Sequence, residues 1–191
     1  AHNDPLKLLV PEAARQRLNA MYDHRFSLCC GFFVDSIHHL PPFTAVLQKG
    51  FKGLWEDAKA AAAGARDDDQ RDFIEAAIAG FEAIPVICGR FARRAEELLA
   101  DTGDPEQRRF LTLIATHARR SPWLPPQTFY EGLNLLWFCR EIFAELDGLS
   151  CFSIGHPDAM LHDLYQRDLA EGRLSREEAY DLICRFLIHA D

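Results

Sequence analysis

The sequence lacks three features that would each point to a particular class of protein. It has no CxxC pair among its 6 cysteines, no apolar run long enough to cross a bilayer, and no excess of basic residues. With 21 Lys and Arg against 29 Asp and Glu, its net charge is -8. Because a broadly acidic surface repels phosphate groups, we expect neither a nucleic-acid partner nor a membrane partner.

A signal peptide is also missing from the start of the sequence. Residues 1–10 lack the basic stretch and the long apolar core that such peptides need. We therefore predict a cytoplasmic protein, in which a disulfide framework is not expected. Cys88, Cys139 and Cys184 lie within apolar helical patterns and are predicted to be small buried residues.

Apolar residues recur at helical spacing along most of the chain, which predicts a mainly α-helical fold. Three helix starts carry capping signals: Asp104 before a proline, Thr128 with Glu131, and Ser175 with Glu178. The predicted helices span residues 6–21, 43–63, 71–100, 104–120, 128–146, 157–170 and 175–191.

The helix at 128–146 is apolar on most of its sides, so we predict that it lies at the centre of the core. Pro85 lies inside the helix at 71–100 and predicts a kink there. The segment 26–40 is rich in aromatic and small residues, and is predicted to be buried and irregular or partly extended. A loop or short strand is predicted at 148–155.

Four sequence blocks occur in the order found in one enzyme family. A proline-rich turn and a Thr-Phe-Tyr-Glu helix start lead into Leu-Trp-Phe at 125–148, and a Ser-Ile-Gly stretch is followed by Glu-Gly and Ser-Arg-Glu-Glu-Ala at 153–188. Upstream lie the blocks HHLPPFTAVLQKGFKGL and DDDQRDFIEAAIAGFEAI. Together these blocks, at about residues 37–190, resemble the N-terminal part of glycyl radical enzymes of the pyruvate formate-lyase type.

The resemblance implies a fold and a chemistry for the complete enzyme. Its fold would be a ten-stranded α/β barrel, of which this chain supplies the helical N-terminal portion with at most one or two short strands. A radical-SAM activating enzyme would install a glycyl radical, which generates a thiyl radical that abstracts hydrogen from a small-molecule substrate. Lyases, dehydratases, decarboxylases and formate acetyltransferases use this anaerobic chemistry.

The motifs that hold the two radicals in the family are missing from this sequence. Neither the Gly-Cys-aliphatic-Glu loop nor the Arg-Val-aliphatic-Gly-Tyr loop is present. We therefore expect residues 1–191 to be a single helical segment without the catalytic C-terminal part, with no catalytic residue and no bound cofactor of its own. Its expected partners are the remainder of the same enzyme and the activating enzyme, and a homodimer is possible.

Five residues are candidates for substrate binding, and each also has a purely structural interpretation. Alignment with the dehydratase branch places His38 where a histidine hydrogen-bonds a substrate hydroxyl, and His39 follows it. Ser150 and Cys151 match a polar pair that faces the substrate in some family members, and Ser153 lies beside them. The alternatives are a histidine pair satisfied by backbone or water, and a tight loop that needs small residues.

Other interpretations of the sequence remain open. His156 replaces the arginine that the family usually carries, and is predicted to form a structural polar pair with Asp158. A metal site that includes His162 has weak support, because the spacing is loose and no fourth ligand is evident. The whole chain could instead be a stand-alone helical structural or interaction domain derived from the family, or an unrelated helical bundle that binds a small ligand.

Overall fold

A computed structural model describes residues 11–13, 16, 41–147 and 153–190 of the chain. Six helices belong to one compact unit, Ile37–Asp191. They are α1 (Phe43–Ala62), α2 (Asp68–Asp101), α3 (Pro105–His117), α4 (Phe129–Asp147), α5 (Pro157–Ala170) and α6 (Arg176–Ala190). The ranges just given contain no β-strand. The prediction of a mainly helical fold is confirmed.

Helix α1 bends at Gly50, in the middle of its sequence. Gly50 has a φ of 65°, a conformation that a side chain disfavours. The bend frees the N–H groups of Phe51 and Lys52, which donate to the carbonyl oxygens of Pro122 and Trp123 at 3.1 and 2.8 Å. The backbone of α1 is thereby joined to the segment between α3 and α4.

Helices α2 and α3 begin at side-chain caps. Asp67 accepts from the N–H of Gln70 at 2.8 Å, so α2 begins three residues earlier than the predicted start at residue 71. It then runs through Pro85 as one helix. Asp104 accepts from the N–H of Glu106 at 2.9 Å, and the predicted start of α3 is confirmed, although α3 ends at His117 rather than near residue 120.

Helix α4 lies at the centre of the core, as its apolar sequence predicts. Leu135 and Leu136 are fully buried, and the helix packs on α1, α5 and α6. Every helix except α3 contributes buried side chains to the surrounding core, among them Val46, Ile84, Leu161 and Phe186. Burial of this many large apolar side chains is the main force that holds the helices together.

The later helices follow the predicted boundaries closely. Helix α5 spans the predicted residues, and the Ser175–Glu178 capping box forms in both directions at 3.1 and 2.9 Å. The Thr128–Glu131 box is half formed. The Thr128 hydroxyl accepts from the N–H of Glu131, but the Glu131 carboxylate turns to other partners.

The described residues contain no helix that is long and apolar enough to span a membrane. The predicted helix at 6–21 lies almost entirely outside the described residues, and the segment at 26–40 lies wholly outside them. Cys88 and Cys139 are buried as predicted, whereas Cys184 is only partly buried. Phe51 and Phe138 are buried in the same core.

Candidate functional site

The predicted substrate-binding residues fall mostly outside the part of the chain that the structure describes. His38, His39, Ser150 and Cys151 lie in undescribed segments. Ser153 is exposed just before α5, and its hydroxyl accepts from the N–H of Gly155 at 3.2 Å. Its local role is therefore to shape the entry into α5, and its role toward a substrate stays a prediction.

The two helices that bracket the predicted loop at 148–155 pack directly against each other. Helix α4 ends at Asp147 and α5 begins at Pro157. A methyl group added at Gly132 of α4 would lie 2.6 Å from Leu161 Cδ2 and 2.9 Å from Leu164 Cδ1 of α5, so a larger residue would force both leucine side chains to shift. Both ends of the loop are thus attached to a well-packed helix pair.

A buried carboxylate fastens the start of α4 to the end of α3. Glu131 is only 2% exposed, although its side chain is charged. Its Oε1 lies 2.9 Å from His117 Nδ1, and its Oε2 accepts from Arg120 Nη1 at 2.8 Å and from the N–H of Gln127 at 2.6 Å. Three donors from two neighbouring segments therefore converge on one side chain.

The ionisation of Glu131 follows from these contacts. Burial alone would raise the pKa of its carboxyl, because a low-dielectric surrounding disfavours charge. The hydrogen bonds from His117 and from the N–H of Gln127, together with the positive charge of Arg120, hold that pKa below its ordinary value. Because an ionised carboxylate can only accept hydrogen bonds, His117 Nδ1 carries the hydrogen in this contact.

A second buried carboxylate, Asp168 of α5, holds the first residue of α4. Its Oδ2 accepts from the N–H of Phe129 at 2.7 Å. Its Oδ1 accepts from Arg173 Nη2 at 2.7 Å and from Arg173 Nε at 3.1 Å. Asp168 therefore satisfies an amide that the first turn of a helix leaves without an intrahelical acceptor, and does so from another helix.

The two carboxylates and their donors form what we call the α4 clasp: His117, Arg120, Glu131, Asp168 and Arg173. Every carboxylate oxygen of the clasp already accepts a hydrogen bond. The clasp contains no hydroxyl or thiol that either carboxylate could activate as a nucleophile. Its chemistry is therefore suited to fixing α4 in position.

The predicted polar pair at the start of α5 does not form. His156 and Asp158 are both exposed, and neither a hydrogen bond nor an ion pair joins them. Helix α5 begins here because Pro157 occupies its first turn, and Asp158 adds a negative charge where the helix dipole favours it. Within the described ranges, no three His, Cys, Asp or Glu side chains are grouped so that they could hold a metal ion.

The sequence offered a partial signal for the α4 clasp. Glu131 is a charged residue in a largely apolar helix, and the sequence predicts it as one half of a capping box. His117 is the last residue of α3 and Arg120 follows it by three positions, so both lie close to Glu131 along the chain. Asp168 had no comparable signal, because its partner Phe129 lies 39 residues earlier in the chain.

Comparison with known proteins places this fold among glycyl radical enzymes. Isethionate sulfite-lyase of Nitratidesulfovibrio vulgaris is 31% identical over 159 residues, which make up 79% of this chain and 19% of the lyase. The structure of a glycyl radical enzyme from Archaeoglobus fulgidus is 26% identical, with a TM-score of 0.72 over 95% of this chain and 26% of that one. A Roseburia inulinivorans structure concerned with 1,2-propanediol dehydration is 28% identical, with a TM-score of 0.70 over 78% and 19%.

The chain thus spans about a fifth of the length of the curated relatives that it matches. The family described as pyruvate formate lyase-like matches residues 4–191, which is nearly all of the sequence. The match agrees with the resemblance carried by the four sequence blocks and with the helical fold. The chain belongs to the pyruvate formate lyase-like family.

Proposed function

We propose that this chain is the helical N-terminal portion of a glycyl radical enzyme. The complete enzyme would act on a small substrate by radical hydrogen abstraction, as a lyase, a dehydratase or a decarboxylase. The observation that carries the proposal is the likeness to such enzymes over 79% of the chain, including a sulfite-lyase at 31% identity. A dehydratase from Klebsiella oxytoca, at 26% identity, supports the same range of reactions.

In this proposal the chain supplies a helical shell and part of the wall of the substrate pocket. His38, His39, Ser150, Cys151 and Ser153 would offer hydrogen bonds to the substrate. The α4 clasp supports this role indirectly. It fixes the start of α4, whose last residue, Asp147, precedes Ser150 and Cys151 by three and four positions in the sequence.

The radical chemistry needs residues that this sequence does not contain. The glycyl radical and the thiyl cysteine would come from the remainder of the polypeptide, and a radical-SAM activating enzyme would install the radical. Hydrogen abstraction also needs a pocket that excludes water and oxygen. A cytoplasmic location and a homodimer belong to the same proposal.

The reading frame that encodes the chain gives the simplest test of this proposal. It should continue into a Gly-Cys-x-Glu motif and, near its end, an Arg-Val-x-Gly-Tyr motif. If neither motif occurs in that frame or in an adjacent one, the radical chemistry is excluded. The activated full-length protein would then be assayed without oxygen on isethionate, 1,2-propanediol and trans-4-hydroxy-L-proline, the compounds named for its relatives.

A non-catalytic role is the second candidate. The described helices enclose a core of their own, with α4 at its centre, so the chain could serve as a structural or interaction domain derived from the family. This alternative predicts a stop codon near the codon for Asp191 and a monodisperse isolated chain by light scattering. A longer reading frame, together with self-association of the isolated chain, would favour the enzyme.

A further inference from the structure

An apolar groove of about 540 Å³ runs along α6, where that helix faces α4 and α5. Its floor is built from buried side chains, among them Phe129, Leu161 and Phe186. Its outer wall is formed by Tyr180, Ile183 and Leu187, which we call the α6 face. These three side chains are 72%, 39% and 57% exposed, although all are large and apolar.

The α6 face differs from ordinary scattered surface hydrophobic residues. Tyr180, Ile183 and Leu187 follow the i, i+3, i+7 spacing of one side of a helix. The adjacent side of α6 carries Ala179 and Phe186, which are buried in the core. Helix α6 thus has two neighbouring apolar sides, of which the described residues cover only one. This pattern is typical of a helix that is buried on both sides in its complete protein.

The size of the groove distinguishes between two kinds of occupant. If a fully exposed large side chain presents roughly 200 Å², the α6 face exposes roughly 350 Å². A stable interface between two separate molecules buries about 800 Å² on each partner. The face is therefore too small to hold a second copy by itself. A segment of the same polypeptide needs less area, because its tether keeps it at a high effective concentration.

The length of the relatives provides such a segment. The matched part makes up 19% of the sulfite-lyase and 26% of the Archaeoglobus fulgidus structure, so most of each polypeptide lies outside it. The groove extends along α6 from Arg176 to Leu187, which is roughly 16 Å at 1.5 Å per residue. That length accommodates about three turns of a helix that packs side by side with α6.

We infer that the α6 face is a docking surface for an amphipathic helix from the remainder of the same polypeptide. The inference rests on the proposed function, since it requires the longer chain. The docked helix would lay its apolar stripe into the groove and keep its polar side outward. It would bury Tyr180, Ile183 and Leu187, and α6 would become an internal helix that connects the helical shell to the rest of the enzyme.

Hydroxyl-radical footprinting of Tyr180 tests this inference, with oxidation measured by peptide mass spectrometry. In the 191-residue chain, Tyr180 should react at more than half of its rate in the urea-unfolded protein, because it is 72% exposed. In the native full-length protein we expect its oxidation to fall at least tenfold. Phe73 of α2 is the control, because its ring is 75% exposed and lies outside the groove. In the 191-residue chain it should be oxidised about as readily as Tyr180.

The inference is overturned if Tyr180 of the full-length protein stays as reactive as in the 191-residue chain. It is also overturned if the protection of Tyr180 in the full-length protein is lost on dilution, since a second copy would then be the occupant. The variant Leu187→Glu places a charge on the α6 face, which is buried only if the helix docks. It should therefore lower the unfolding temperature of the full-length protein more than that of the 191-residue chain. Equal shifts in the two would contradict docking.

The experiments distinguish an error in the docking inference from an error in the proposed function. Protection of Tyr180 from oxidation does not depend on whether the glycyl radical forms. A protected Tyr180 in a protein that never forms a glycyl radical would retain the docking surface and refute the chemistry. A radical-bearing protein with a reactive Tyr180 would retain the chemistry and refute the docking.

Discussion

Replacement of Glu131 tests the α4 clasp, and we expect Glu131→Ala to destabilise the fold strongly. The carboxylate is 2% exposed and receives hydrogen bonds from His117, Arg120 and the N–H of Gln127. The alanine variant removes the only side-chain acceptor that these three donors share. It leaves the positive charge of Arg120 beside a vacated polar site.

The size of the effect follows from how far water can reach the donors that remain. Removal of one partner from a fully buried ion pair costs about 3–5 kcal/mol. The side chains of His117 and Arg120 are 24% and 28% exposed, so solvent can hydrate them in part. We therefore place the loss for Glu131→Ala at about 3 kcal/mol, and that for Glu131→Gln, which keeps an acceptor oxygen, at about 1.5 kcal/mol.

Urea unfolding followed by circular dichroism measures this loss. With an m-value of about 2 kcal/mol/M, a loss of 3 kcal/mol lowers the midpoint by about 1.5 M. Glu96→Ala is the matched control, because Glu96 pairs with Arg119 at 2.8 Å where both side chains are half exposed. We expect the control to change stability by less than about 1 kcal/mol. Equal midpoint shifts for Glu131→Ala and Glu96→Ala would refute the clasp as a buried anchor.

The same carboxylate should make stability depend on pH. The folded-state pKa of Glu131 is lowered, so its ionised form favours the fold at pH values above the unfolded-state pKa of about 4.3. This contribution is lost as the pH falls through the folded-state pKa. The stability difference between wild type and Glu131→Gln should therefore be constant near neutral pH and shrink in acid. A difference that persists undiminished at pH 2 would contradict this account.

Three further predictions concern backbone geometry, the second carboxylate and the buried thiols. Gly50→Ala should lower the free energy of unfolding by at least about 2 kcal/mol, because φ is 65° and the new methyl group would lie 2.5 Å from the Trp123 carbonyl oxygen. In the control variant Gly80→Ala, the new methyl group would meet no atom within 4 Å, so this variant should stabilise α2 slightly. Asp168→Asn should cost about 2 kcal/mol in urea unfolding, because the charged acceptor for Phe129 N–H and Arg173 is lost; wild-type stability would contradict this. Burial raises the pKa of Cys88 to about 11 and that of Cys139 to about 12, so neither should react with a thiol reagent at pH 8 until urea unfolds the protein. Rapid labelling of either thiol in native protein would show that this part of the core opens.

The helices and their starts could be predicted because the signals are local. Asp104 with Pro105, and Ser175 with Glu178, act within four residues of one another, and the structure confirms both caps. The largely apolar sequence of α4 likewise predicts a central position, since most of its sides do not suit water. Predictions of this kind depend only on spacing along one helix.

The features that join the helices could not be predicted in the same way. Gly50 fits a helical pattern in the sequence, and its positive φ is required by the backbone of residues 122–125, more than seventy positions away. Asp168 caps α4 from a different helix. The exposed side of α6 is equally hidden in the sequence, because helical periodicity marks apolar residues without showing which of them find a partner.

Electron paramagnetic resonance tests the central claim, that this chain is part of a glycyl radical enzyme, most directly. The full-length protein would be incubated without oxygen with a radical-SAM activating enzyme, S-adenosylmethionine and a reductant. We expect a stable organic radical signal that disappears when the glycine of the Arg-Val-x-Gly-Tyr motif is replaced by alanine. A full-length protein that contains both motifs and gives no signal with an activating enzyme that is active on another member of the family would contradict the claim.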